Sequence, residues 1–199
     1  MKVLLPENIS EITLKQMQRY AELLERDDLK EEAFNKRKIH IFTGIPQRDI
    51  SKIKQSDYKQ ILEQVDKALG LDVEFEKFFT MNGVDFGFHP NLDEMSMAEF
   101  ADLSKYGSEL ETMHNTMAIL FRPIAEKGGQ SYTIESYNGT KEYAEQMREM
   151  PLSIVNGAIG FFCNLAKELR LHTQRYTIQE LLKVQTLSTT SLNGVGSPQ

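Results

Sequence analysis

The side chains in this 199-residue chain with which metal, acid–base or nucleophilic chemistry would be done are four histidines, one cysteine and 29 carboxylates. Glu111 and His114 stand three apart, which on a helix places both on one face, as in one helix of a di-iron carboxylate bundle. Such a centre needs a second Glu-x-x-His and two more inward glutamates. The nearest approach is Glu168 with His172, spaced by four. A solvated or hydrogen-bonded pair is therefore the reading, and a metal-dependent enzyme using Glu111 and His114 is the alternative. His40 and His89 have no Cys or His at ligand spacing. Cys163 lies among Phe161, Phe162 and Leu165, where burial would raise its pKa and quench the thiol, and as a lone cysteine it forms no internal disulfide. It is expected to be a small buried hydrophobe. Asp93 with Glu94, and Glu99 with Asp102, are acids at expected helix starts, where the macrodipole accounts for them. The phosphate-cradling glycine loops and the Gly-x-Ser-x-Gly elbow are missing from the sequence. No catalytic, cofactor-binding or metal-ligating residue is assigned.

Binding of another protein is better represented. Seven of the nine methionines fall between Met81 and Met150, and unbranched, polarizable side chains repack against varied surfaces. Candidate partner-binding residues are Met95, Met97, Met113, Met117, Phe161 and Phe162, set against core filling as the plainer use of the same residues. The net charge is −6, and residues 71–130 hold the excess with 11 acidic and 4 basic side chains. That stretch repels phosphate backbones, so nucleic-acid binding is not expected there. Lys36, Arg37 and Lys38, followed by Arg48, Lys52 and Lys54, stand beside Asp27, Asp28, Glu31 and Glu32 and read as a solvated helix face.

The elements that would carry these residues centre on Phe75 to Ile124. Two runs rich in Phe and Val flank Asn82-Gly83, whose tolerance of positive φ makes a type I′ hairpin. Ser96 with Glu99 three residues on is a capping box, starting a helix near Met97 that ends by Gly107. A second helix is expected from about Ser108 to Arg122, halted by Pro123. Upstream, Thr13 caps an amphipathic helix through Leu24, Asp27-Asp28 starts another that reaches Gly44, a short turn surrounds Ile50 and Ile53, and Ser56 caps a third ending at Gly70. Downstream, Ser131 to Ser136 alternates as a strand that would join the hairpin in a three-stranded sheet, and Thr140 caps a helix to Glu149. Met150 to Ala166 has no charged residue and reads as a central or partner-facing helix with Gly157 and Gly160 for close approach.

The fold class expected is α+β, mainly α-helical with a small antiparallel sheet. Residues 1–70 form a helical region and 71–183 an α+β region in one compact unit with it, while 184–199, rich in Ser, Thr and Gly, form a disordered tail. The apolar stretch falls short of the roughly 20 residues a bilayer span needs. Met1-Lys2 is followed by three apolar residues and Pro6, too few for a secretory signal, so a cytoplasmic location is expected and the sequon Asn138-Gly139-Thr140 is not expected to carry glycan.

The succession Phe86 to Leu103 (FGFHPNLDEMSMAEFADL), His114 to Ile124 (HNTMAILFRPI), Tyr132 to Thr140 (YTIESYNGT) and Met150 to Leu169 (MPLSIVNGAIGFFCNLAKEL) resembles the tail assembly chaperones of tailed bacteriophages over about Phe79 to Leu169. The resemblance implies a non-enzymatic role in the host cytoplasm: binding the long helical tape-measure protein and keeping it soluble while tail subunits polymerise around it. The alternative is a structural protein of the virion's tail, baseplate or connector. Further expectations are no cofactor, no nucleic-acid or membrane partner, and room for self-association.

Overall fold

The computed structural model describes residues 5–70, 73–107, 109–129 and 131–164. The chain divides into two units, Met1–Ala158 and Ile159–Gln199.

In the first unit, helices α1 (Leu14–Leu24), α2 (Glu31–Thr43), α3 (Gln47–Ile50) and α4 (Gln55–Leu69) come first. Thr13 and Gln16 cap α1 reciprocally, as the spacing predicts for Thr13. Gly44, at φ 71°, ends α2 in the left-handed conformation that a Cβ disfavours. Two starts differ from expectation. Helix α2 begins at Glu31 after Lys30, and α4 at Gln55 after Lys54, neither with a side-chain cap. Asp28 is instead engaged with Arg26 at 3.0 and 2.7 Å. Ile39, Ile45, Ile50 and Ile61 form the core of this helical part.

Strands β1 (Phe78–Met81), β2 (Val84–Phe88), β3 (Phe121–Gly128) and β4 (Ser131–Ile134) form one antiparallel sheet in the order β1-β2-β3-β4. Between β2 and β3 lie α5 (Met97–Tyr106) and α6 (Met113–Leu120); α7 (Ala144–Met147) follows β4. The mainly helical α+β class is thus as expected. Asn82 and Gly83 turn the hairpin with φ of 53° and 78°.

The sheet has a fourth strand because the expected helix to Arg122 stops at Leu120. The residue before a proline is driven out of the α region, so Arg122 is extended and Pro123 sits inside β3 opposite Phe86. Proline has no N–H for a ladder, and the ladder to β4 is irregular just beyond it, at Ile124 and Glu126. Likewise Thr140 does not open a helix directly: its carbonyl accepts from Tyr143 and Ala144 in a turn ahead of the short α7.

Register separates the two sheet faces. Phe79, Phe86, Phe88 and Phe121 share one, with ring centroids 5.2–5.4 Å apart. Phe78, Gly87 and Arg122 share the other, where Tyr132 leans over Gly87 and its hydroxyl donates to the Phe88 carbonyl at 2.6 Å. A Cβ on Gly87 would come within 2.9 Å of the Tyr132 ring. The final described helix starts at 152. Leu152, Ile154, Val155 and Ala158 are buried, and backbone bonds Leu14 N–H to Met150 O and Leu152 N–H to Ile12 O tie its entry to the start of α1. Gly157 lies against the chain at Glu74 and Phe75, so that a Cβ there would meet the Glu74 carbonyl at 2.6 Å; at Gly160 a Cβ meets nothing within 4 Å.

Of the second unit, residues 159–164 are described and are helical. Phe161 and Phe162 are half-buried with rings 5.6 Å apart, and Cys163 is exposed rather than buried as expected. The tail from Val184, and Glu168 with His172, lie outside the described residues.

Candidate functional site

Helix α5 is where local sequence and tertiary placement meet. Its capping box closes as predicted, the Glu99 N–H donating to Ser96 Oγ at 3.2 Å and the Ser96 N–H to Glu99 Oε2 at 2.6 Å. Glu99 is thereby fixed pointing into the protein, where it is 4% exposed. Its second oxygen, Oε1, receives Arg122 Nη2 at 2.6 Å and lies 3.5 Å from His89 Nε2. Three residues on, Asp102 accepts the Tyr137 hydroxyl at 2.5 Å, and the Arg122 guanidinium lies 5.5 Å over the Tyr137 ring. Helix α5 therefore docks through polar groups on residues from the end of β2, from β3 and from the segment after β4.

The electrostatics follow from that enclosure. Burial pushes the Glu99 carboxyl up, but the Ser96 bonds, Arg122 and His89 together hold it below its ordinary value. Burial lowers His89, with Arg122 reinforcing and Glu99 opposing the shift, so the ring is neutral at pH 7. Burial and the bond to Asp102 raise Tyr137. Glu99, Asp102 and Tyr137 direct their polar atoms at neighbours within the cluster. Such an arrangement pins a helix to a sheet.

The outer face of α5 is the reverse. Met97 is 82% and Phe100 60% exposed, and with exposed Ala101 and Ser104 they fall at i, i+3, i+4 and i+7, one continuous face. This helix buries acid and shows apolar side chains to solvent, opposite to the usual surface helix. Phe100 was missed in the sequence, because the capping box marks where α5 starts and not which of its faces is buried.

The other expected partner residues are placed differently. Met95 is half-buried. Met113 (8% exposed) and Met117 (1%) are interior, because α6 is packed between α5, α7 and β3, and so they fill core rather than present surface. Phe161 and Phe162 lie in the second unit, half-buried.

Glu111 and His114 do not converge. Glu111 is exposed and precedes α6, whereas His114 is buried within it, its Nδ1 3.1 Å from Gln18 Nε2. That amide also donates to the carbonyls of Leu110 and Glu111 at 2.9 and 2.8 Å. Burial, followed by the charge of Arg148, lowers His114. Among the described residues no three His, Cys, Asp or Glu side chains are grouped to hold a metal, and no helix is long and apolar enough to cross a membrane.

Neither a protein-family model, nor a curated protein, nor a solved structure matches the chain.

Proposed function

We propose that this chain is a non-enzymatic assembly chaperone of a tailed bacteriophage, which holds the tape-measure protein through the outer face of α5 while the tail is built. The observation that supports the reading is the inverted helix. A helix anchored by Glu99 on Arg122 leaves Met97 and Phe100 in water, and an apolar stripe so placed suits the apolar face of another helix. The acidic surroundings, 11 acidic against 4 basic residues over 71–130, favour a client with lysine or arginine flanking its apolar stripe.

The test is co-expression with the tape-measure protein encoded in the same gene cluster. The client should be recovered soluble and in complex, and the pair Met97→Ser with Phe100→Ser should abolish the complex while leaving the circular dichroism spectrum unchanged. An insoluble client, or a complex indifferent to both substitutions, would refute the proposal. Mass spectrometry of mature particles distinguishes the structural alternative, since a chaperone leaves before maturation and a tail component remains.

A further inference from the structure

The basic residues between Arg19 and Lys52 are not all accounted for as a solvated face. Lys36 pairs with Glu32 at 2.7 Å, the buried Lys38 pairs with Asp66, and Lys52 pairs with Asp49. Arg37 is different: it is half-buried and makes no hydrogen bond or ion pair with the described residues.

Helices α1 and α2 explain why. They pack through Tyr20, whose ring is 5.2 Å from Phe42 and 6.3 Å from Phe34. The two helices also line a shallow, open cleft of about 410 Å³, with Leu23 and Ile41 among its apolar lining. Arg19 of α1 and Arg26, just past the end of that helix, line it with Arg37 and His40 of α2. Arg26 is held by Asp28, on which the charge of Arg37 also acts, whereas Arg19 makes no hydrogen bond or ion pair with the described residues. The His40 Nδ1–H donates to the Ile45 carbonyl at 2.8 Å, which fixes the tautomer and leaves Nε2 without a partner there. Glu22 is the one carboxylate among the lining residues.

We infer that this cleft is a binding site for the phosphate group of a small phosphorylated molecule. Guanidinium groups are donors only and match oxyanions in pairs of parallel bonds. Forks arriving from two helices suit a tetrahedral group with three free oxygens and close to two charges at pH 7 better than a flat carboxylate. The volume is sufficient for a small metabolite as well as for inorganic phosphate. The cleft is formed by other residues than α5, so the inference stands whether or not the chaperone reading does.

The experiment is titration of the full chain with pyrophosphate, and in parallel with citrate, at ionic strength held constant with chloride, following the His40 ring by NMR. Saturable shifts at His40 are expected with pyrophosphate, and Arg37→Gln should weaken binding by about tenfold, the worth of one charge-assisted hydrogen bond. Arg19→Gln, at an exposed position, should act in the same direction and serves if Arg37→Gln does not fold. Lys52→Gln should have no effect. Non-saturating shifts, tighter binding of citrate than of pyrophosphate, or indifference to both arginine substitutions would overturn the assignment.

Discussion

Glu99 carries two duties that a surface carboxylate does not combine: it closes the start of α5 with one oxygen and neutralises buried Arg122 with the other. Removing only one partner of a buried ion pair leaves an uncompensated charge. Arg122→Met should therefore destabilise the protein by about 3–5 kcal/mol, read by urea denaturation. Adding Glu99→Gln, which keeps the capping geometry and removes the charge, should restore much of that loss. A double variant no better than Arg122→Met would show that the arginine acts through its packing on Tyr137 instead.

At the scale of elements, the last described helix shows how alike two glycines look in sequence and how differently they are used. Gly157 is pressed on the Glu74 carbonyl, where a Cβ would stand at 2.6 Å against backbone that has no rotamer to change. Gly157→Ala should lower the melting temperature by several degrees, as a loss of roughly 1–3 kcal/mol from overpacking does. Gly160→Ala meets open space and should be neutral or stabilising by up to about 1 kcal/mol through helix propensity. Equal effects at the two positions would contradict the close approach at Gly157. Helix α6 and β3 make the complementary point: their apolar run, Met117 to Phe121, is compatible with either element, and the proline two residues beyond it decides where one becomes the other.

For the whole molecule, the two histidines buried among the described residues set a pH dependence. Both His89 and His114 fall below the ordinary value of 6.5, so between the unfolded and folded values the unfolded chain binds more protons. Their contribution to stability is complete above 6.5 and is lost as pH falls below it. Glu99, held below its ordinary 4.5, adds a further loss in more acid solution. Unfolding free energies measured from pH 8 to pH 5 should decline in the lower half of that range. Replacing both histidines by glutamine should flatten the decline, and an unchanged slope would place its origin elsewhere.

By itself the sequence determined those features whose partners lie within a few residues along the chain. The capping boxes at Thr13 and Ser96, the positive-φ turn at Asn82-Gly83 and the left-handed end of α2 at Gly44 each form from a short peptide's own donors, acceptors and steric limits. Only the tertiary structure decided what each element touches. It turned Met113 and Met117 inward and Met97 outward, made a central strand of Phe121–Gly128, and brought Arg122 to Glu99 across 23 residues of chain. The physical reason is that burial is a property of the assembled neighbours. A methionine or a glutamate has the same local preferences on either side of a helix, and the free energy that separates the two sides comes from residues remote in the chain.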